Sequence, residues 1–143
     1  MAQYENNDLK FVAVLNRKTE LPRLLNALGH ISVGLTSLSK EVSEMQFLDY
    51  RDGDNGSHPA ISKFPFIVLA ADNGNQIRSL RKAAIDFGIL HNDFVSQMLG
   101  TSAEDQLQNT ASAKEAELEY FGIVLFGPAE KLNPLTKRFS LFK

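Results

Sequence analysis

Runs of consecutive apolar residues mark the strands that the chain is expected to form. The three clearest runs are Phe11–Leu15, Phe64–Ala70 and Tyr120–Phe126. Apolar runs of this length, without alternation, are typical of strands that are covered on both faces. A fourth candidate strand, Ile89–Val95, contains the polar residues His91, Asn92 and Asp93. The pattern therefore predicts a sheet in the middle of the protein, with polar chemistry at the end of one strand.

Apolar residues spaced three and four positions apart predict a long helix after the first strand. The predicted stripe facing the core consists of Leu21, Leu24, Leu25, Leu28, Ile31, Leu35 and Leu38. Thr19 is a candidate cap, and Pro22 suits the first turn because its missing N–H costs little there. Gly34 is expected to shorten or bend the second half of this helix.

The remaining segments complete an alternation of strands and helices. A second helix is predicted from the turn at residues 72–74 to Gly88, where glycine can end a helix. Residues 46–56 predict an edge hairpin or a loop, and residues 100–117 predict a loop or a marginal helix. A short helix interrupted by Pro134 and an edge strand over 139–142 close the chain.

This order of elements predicts the fold class. Strands that alternate with helices in a chain of this size favour one α/β domain over residues 1–143. We expect a three-layer α/β/α sandwich around a mixed, largely parallel sheet. In such sheets ligands bind outside the carboxyl ends of the strands, so the loop after the first strand and the end of the Ile89–Val95 strand are the places to search.

Composition narrows the class of protein further. The 143 residues include 15 Lys and Arg against 17 Asp and Glu, a net charge of −2, which does not favour general affinity for nucleic acid. The absence of Cys excludes disulfides, a thiol nucleophile and thiolate metal ligands. Residues 1–8 are polar and acidic rather than signal-like, and no apolar run approaches the roughly 18 residues of a membrane span. We therefore expect a cytoplasmic protein without a membrane partner.

Basic residues near the start of the first helix form one candidate site. Arg23 and His30 are seven positions apart, so they lie on nearly the same helix face, away from the leucine stripe. With Arg17 and Lys18 in the preceding loop they could form a cationic pocket for a phosphate or carboxylate, aided by the helix dipole. Ordinary solvent exposure of these side chains is the alternative.

Asp93 is the acidic residue best placed to act with that pocket. It falls near the end of an otherwise apolar strand, where a buried carboxylate needs a partner. It could orient a water molecule or pair with Arg23. The alternative is an aspartate that caps a turn.

Other motifs carry less chemistry. His30, His58 and His91 lack the spacing of a zinc site, and the Asp52–Gly56 segment lacks the later ligands of a calcium loop. No metal and no cofactor are predicted. Arg78, Arg81 and Lys82 are expected to form a solvated basic face on the second helix.

The order of these pieces resembles the type 2 peptidyl-tRNA hydrolase superfamily, and in particular an uncharacterised bacterial domain family allied to it. The segments that carry this resemblance are the helix Pro22–His30, the strand and helix of residues 64–88, the strand end at Asp93 and the closing residues 122–142. The resemblance implies a peptidyl-tRNA hydrolase type 2-like fold. It also implies a homodimer.

The resemblance is incomplete at the residues that carry the hydrolase reaction. Pro22 and Arg23 stand where the hydrolases have Gly-Lys, and Ala27 stands at their Gln position, while His30 is kept. Asp93 matches the acid of their Asp-Ala-Gly motif, but Phe94 and Val95 follow it, and Gln97 falls at a functional Thr position. Arginine does not replace lysine in proton transfer, so the resemblance implies a related pocket with altered chemistry, or with none.

Two functions follow as expectations. In the first, a diverged site binds a small anionic ligand or a partner through Arg23, His30 and Asp93. The candidate ligand-binding residues around it are Asn16, Arg17, Lys18, Asn26 and Gln97. In the alternative, the protein hydrolyses an ester in peptidyl-tRNA or a related acyl compound, with Asp93 positioning water and Arg23 and His30 stabilising negative charge. The acidic balance does not favour tRNA as a partner.

Overall fold

The computed structural model describes residues 8–143. The polar segment 1–8 carries the expectation of no signal peptide, and all of it except Asp8 lies outside the described residues. The elements are β1 (Leu9–Asn16), α1 (Leu21–Leu38), β2 (Phe47–Arg51), β3 (Ser57–Ser62), β4 (Phe66–Ala71), α2 (Gly74–Asp86), β5 (Leu90–Val95), α3 (Ala103–Ser112), β6 (Tyr120–Pro128), α4 (Ala129–Thr136) and β7 (Ser140–Leu141). Short 3₁₀ turns cover Val42–Met45, Ser96–Met98 and Glu115–Glu117. Within residues 8–143, none of the helices combines the length and the apolar character needed to cross a membrane.

Within residues 8–143, five strands form the central sheet in the order β5-β6-β1-β4-β7. Among these strands only the β1–β4 pair is parallel, whereas β1–β6, β5–β6 and β4–β7 are antiparallel. The expectation of a mixed sheet is confirmed, and the expectation that it is largely parallel is wrong. A strand that is covered on both faces is a continuous apolar run in either orientation. The runs therefore did not predict whether neighbouring strands are parallel or antiparallel.

Helices cover both faces of this sheet, as the α/β prediction requires. On one face α1 buries Leu24, Ala27, Ile31 and Leu35 against Phe94 and other aromatic residues of the strands. On the other face α2 and α4 bury Ile77, Leu80, Ala84 and Leu132 against the opposite sides of β1 and β6. The β5 strand lies at an edge of the sheet, and its side chains point alternately toward the two helix layers.

The predicted stripe of α1 is wider than the stripe that the sheet covers. Leu21, Leu25 and Leu38 are each more than half exposed, while Leu24 is fully buried. Glu20 rather than Thr19 is the N-cap, and its side chain makes no capping hydrogen bond. A sheet contacts only one side of a helix, so leucines beyond that side remain on the surface.

Gly34 does not shorten α1, because α1 continues to Leu38. Its lack of a side chain instead allows a neighbouring strand to approach. A Cβ atom at Gly34 would lie 2.5 Å from Nδ2 of Asn92 on β5. The glycine therefore permits a contact between α1 and the edge strand.

The β2–β3 hairpin forms a separate two-stranded antiparallel sheet, not an edge of the central one. Asp52 organises its turn by accepting hydrogen bonds from the backbone N–H groups of Asp54 and Gly56, both at 2.9 Å. All five residues of β2 are exposed. At the base of the hairpin, Met45 is fully buried in the same cluster as α1, which places the hairpin on the α1 side of the molecule.

Local signals mark the start of α3 and the end of α2. Residues 103–112 form the helix α3, capped by Ser102, whose side chain accepts from the N–H of Asp105. Gly88 adopts φ +65° after α2, as expected for a glycine that ends a helix. The final strand is present but spans only Ser140–Leu141, beside β4.

Candidate ligand-binding cleft

A cleft of about 690 Å³ lies between α1, the edge strand β5 and α3. Its size is within the roughly 300–1,000 Å³ range of small-molecule sites. Its apolar lining is contributed by Ile31, Phe94, Met98, Leu99, Ala103 and Leu107. Its polar lining is contributed by Asn26, His30, Asn92, Asp93, Gln106 and Thr110.

The edge strand supplies the inner wall of the cleft. Side chains alternate along β5, so Asn92 and Phe94 face α1. Nδ2 of Asn92 donates a hydrogen bond to the carbonyl oxygen of Ile31 at 3.1 Å. The ring of Phe94 lies between the rings of His30 and Phe121, with centroid distances of 6.2 and 5.9 Å. These contacts fix the side chains that a ligand would meet.

Residues 96–119 form an excursion from the sheet that supplies the outer wall. Its two ends are joined by the N–H of Ser96, which donates to the carbonyl oxygen of Glu119 at 2.8 Å. Gln97 strengthens this junction by donating to the carbonyl oxygen of Glu117 and accepting from the N–H of Glu119. The amide of Gln97, predicted to bind a ligand, thus serves the backbone of the excursion.

A partly buried arginine holds the base of the same excursion. Arg78 donates to the carboxylate of Glu115 at 3.0 Å and to the carbonyl oxygens of Glu115, Ala116 and Leu118. Its guanidinium also lies 5.2 Å from the ring centroid of Tyr120. The predicted solvated basic face is therefore wrong for Arg78, whose side chain is only 16% exposed.

Asp93 borders the cleft, but its carboxylate is paired on the opposite side of the sheet. Nε of Arg81 on α2 donates to Oδ2 of Asp93 at 3.1 Å. Pairing of Asp93 with Arg23 is therefore not observed. The alternation of β5 explains the difference, because Asp93 stands between two residues that face α1 and so faces α2. Arg81 was expected to be solvated, and instead it neutralises this acid.

Burial raises the pKa of the Asp93 carboxyl above its ordinary value of 3.8, and the nearby Arg81 offsets part of that effect. Desolvation disfavours the charged carboxylate, whereas the guanidinium favours it. The raised pKa means that the folded protein binds the Asp93 proton more tightly than the unfolded chain. This difference connects the group to the pH dependence of stability.

We expect the free energy of unfolding to contain a component from Asp93 that falls as pH rises. The loss begins near the unfolded pKa and is complete above the raised folded pKa, because only the folded carboxyl holds its proton between the two. Urea denaturation from pH 4 upward measures it. Asp93→Asn should remove this component, whereas Asp54→Asn, at an exposed turn position, should retain it. The same slope in Asp93→Asn and the wild type would contradict the assignment.

The other predicted site residues lie at different distances from the cleft. Asn26 and His30 line it. Asn16 is buried and donates to the carbonyl oxygen of Tyr120 at 3.2 Å, so its amide serves the fold. Arg17 pairs with Asp72 at 3.1 Å on the surface. Lys18 is exposed in the same loop, and its N–H bonds to Oδ1 of Asn16.

Arg23 is exposed on α1, on nearly the same side of the helix as His30 and about 10 Å nearer the N-terminus, at about 1.5 Å per residue. Within residues 8–143 it makes no ion pair. The structure thus brings His30 and Asn26 to the cleft and leaves Arg23 beside its end. The four basic positions do not converge into the single cationic pocket that was predicted.

Three polar residues of the cleft were missed at the level of sequence. Asn92 was noted only as an interruption of a strand, and Gln106 and Thr110 fell in a segment without a clear assignment. The available signal was the alternation of β5, which separates Asn92 from Asp93. No comparable signal identified α3 as a wall. Among residues 8–143 no group of three or more His, Asp or Glu side chains is arranged to hold a metal ion.

Comparisons with known proteins agree with the fold and leave the chemistry open. The model of a family described as protein of unknown function, DUF2000, matches residues 9–143. A solved structure of Atu0240, a protein of unknown function from Agrobacterium tumefaciens strain C58, is similar with a TM-score of 0.81 and 18% identity, over 96% of this chain and 99% of that one. The search of curated proteins found no match. Neither match names a peptidyl-tRNA hydrolase, so that resemblance stays a prediction.

Proposed function

The chain belongs to the DUF2000 family of proteins of unknown function, and we propose that this member binds a small anionic organic molecule in the cleft between α1, β5 and α3. The observation that carries the proposal is the composition of the cleft. An apolar floor bordered by a few fixed hydrogen-bonding side chains is the usual form of a small-molecule site.

The body of the ligand would lie on the apolar floor. Phe94 and Ile31 are held in place by the core on their inner sides, so a ligand would meet a rigid surface. Asn92 is oriented by its bond to the carbonyl oxygen of Ile31, which leaves its Oδ1 as an acceptor. Thr110 donates to the carbonyl oxygen of Gln106, so its oxygen can also accept. The wall thus suits a molecule that carries N–H or O–H donors.

The negative charge of the ligand would lie toward the N-terminal half of α1. Within the described residues, neither Lys nor Arg lines the cleft itself. His30 lines it, and Arg23 projects from nearly the same side of α1 without an ion pair among the described residues. An anion placed between these two side chains would gain a charge-assisted contact, and Asp93 would not repel it strongly because Arg81 neutralises that carboxylate.

The proposal is tested by a thermal-shift screen with phosphorylated and carboxylated metabolites, nucleotides included. A true ligand at about 100 times its Kd stabilises the protein by about 2.7 kcal/mol, a shift of several degrees. Arg23→Ala and His30→Ala should each weaken binding of the identified compound by about 10-fold or more, as expected for a hydrogen bond to a charged group. Isothermal titration calorimetry gives the affinities.

A pair of tryptophan variants tests the location. Ala103 lines the cleft, while Ala111 is exposed on the same helix outside it. Ala103→Trp should abolish the thermal shift by filling the cleft, and Ala111→Trp should preserve it. A screen without any shift, or a shift that survives in Ala103→Trp, would contradict the proposal.

A second candidate is ester hydrolysis with the fold and chemistry of type 2 peptidyl-tRNA hydrolases. Asp93 favours it, because this residue lines the cleft at the edge of the sheet and burial raises the pKa of its carboxyl, a perturbation that general bases show. The reacting ester would have to reach that carboxylate beside Arg81, on the α2 side of β5. Turnover of peptidyl-tRNA, corrected for host hydrolase, should then be lost in Asp93→Asn and Arg23→Ala. Binding of tRNA would weaken far more steeply with salt than binding of a small anion, because tRNA presents many phosphates. Wild-type turnover no higher than that of Asp93→Asn excludes this candidate.

A further inference from the structure

The α3 helix turns its apolar side toward the cleft and not into the core. Ala103, Gln106, Leu107 and Thr110 follow one another at helical spacing, so they share one face, and all four line the cleft. No residue of α3 is buried. Leu107, the only large apolar side chain of this helix, is 73% exposed. The helix therefore presents apolar surface that nothing among residues 8–143 covers.

The hydrogen bonds of α3 stay within its own segment. In the part of the chain that the structure describes, its backbone and side chains bond only to residues 100–113. A helix of about ten residues is marginal in water unless it packs on something. A ligand that covers Leu107 would supply that packing.

Two hydrogen-bond donors form the polar end of the cleft on α1. Asn26 and His30 are four residues apart, so they are neighbours on the helix surface, and both line the cleft. Both side chains are exposed, so the amide N–H groups of Asn26 and a ring N–H of His30 are accessible to a ligand. Arg23 lies one turn before Asn26 and adds positive charge at this end. Two neighbouring donors match the two oxygens of one carboxylate.

A phosphate group fits this end of the cleft less well than a carboxylate. It carries about −1.5 to −2 charges at pH 7 and three acceptor oxygens. Within the described residues, neither Lys nor Arg lines the cleft to balance that charge. The N-terminus of α3 does not supply the balance either, because its first turn carries Glu104 and Asp105. The cleft therefore favours a ligand with a single negative charge.

We propose that the ligand of the cleft is an aliphatic monocarboxylate. Its carboxylate accepts hydrogen bonds from Asn26 and His30, and its chain lies between Leu107 and the apolar floor. A hydroxyl group on the chain would meet the acceptor oxygens of Asn92 and Thr110 described above. This inference rests on the proposed function, since it names the ligand class of the same cleft.

A series of straight-chain acids tests the class of ligand. Each CH₂ group that enters the cleft should raise the affinity about 3- to 4-fold, so octanoate should bind about 100-fold more tightly than butanoate. Octyl phosphate and adenosine monophosphate should each bind at least about 10-fold more weakly than octanoate, because they bring a second negative charge. 1-Octanol should also bind at least about 10-fold more weakly, because it lacks the carboxylate. Isothermal titration calorimetry measures each affinity.

Substitution of Leu107 tests where the chain lies. Leu107→Asn should lower the affinity for octanoate about 5-fold and leave the affinity for butanoate unchanged, because the shorter chain does not reach α3. The variant should fold normally, since this side chain is largely exposed, and circular dichroism checks the fold. Ile85→Asn, at a half-exposed position on α2, is the matched control and should bind both acids like the wild type. Ala103→Trp should abolish binding of octanoate, which separates the cleft from unspecific surface sites.

The outcomes distinguish failure of this inference from failure of the proposed function. If octyl phosphate or adenosine monophosphate binds in the cleft more tightly than octanoate, the monocarboxylate class is wrong while the proposed function stands. Equal binding of butanoate and octanoate, or of octanoate and 1-octanol, overturns the inference. So does an unchanged affinity for octanoate in Leu107→Asn. If none of these anions binds, the inference is overturned, and the wider thermal-shift screen decides the proposed function separately.

Discussion

Replacing Ile31 with alanine is expected to lower the free energy of unfolding by about 3 kcal/mol, within the roughly 2–5 kcal/mol range of buried Ile-to-Ala changes. Ile31 is 1% exposed and packs in the cluster that joins α1 to β1, β5 and β6. The substitution removes the apolar contacts and leaves a void that the rigid sheet cannot fill. Urea denaturation monitored by circular dichroism measures the loss.

The comparison with Ile31→Val gives the expected gradation. Removing one methylene should cost only about 0.5–1.5 kcal/mol. Because Ile31 also lines the cleft, Ile31→Ala should enlarge the cleft as well as destabilise the core. Equal losses in the two variants would mean that the site collapses around the smaller side chain, contrary to the packing seen here.

Replacing Arg78 with alanine is expected to cost about 2–3 kcal/mol and to loosen residues 96–119. The guanidinium holds Glu115 and three backbone carbonyl oxygens, and it covers the ring of the buried Tyr120. Hydrogen bonds to charged groups contribute about 1.5–3 kcal/mol each when buried, and the partial exposure of Glu115 reduces the total. Denaturant unfolding and limited proteolysis of the excursion measure the two effects.

Arg78→Lys separates charge from geometry. Lysine keeps the positive charge but cannot reach several acceptors with one planar fork, so most of the loss should remain. Arg138→Ala is the matched control, because this exposed arginine makes a single backbone hydrogen bond on α2. Recovery of wild-type stability in Arg78→Lys would show that charge alone holds the excursion.

The two regions tested by these variants meet at the cleft. Ile31 contributes to its inner wall, while Arg78 anchors the excursion that carries α3 as its outer wall. All ten residues of α3 are exposed or half-buried, and Leu107 on its cleft side is 73% exposed. The outer wall therefore depends on the anchoring of its base more than on packing of its own. Loss of Arg78 should consequently weaken any ligand binding in the cleft.

Several features of the candidate site could be predicted from the sequence. The seven-residue spacing of Arg23 and His30 predicted one shared helix face, and both residues lie in α1, while Asp93 lies near the end of β5, the strand that borders the cleft. The partner of Asp93 was not predictable in the same way. It depended on which helix covers the face toward which Asp93 points, and Arg81 reaches that face only because α2 packs there.

The sequence by itself determined the buried strands, the long helix and the α/β class, because continuous apolar runs and helical spacing are local consequences of burial on two faces or one. Only the tertiary structure decided the strand order, the antiparallel pairs, the Arg81–Asp93 ion pair and the assembly of the cleft. Each of these depends on which distant segments pack together, and many arrangements bury the same apolar residues equally well. The leucines of α1 show this limit, because the same apolar stripe in the sequence contains both buried and exposed side chains.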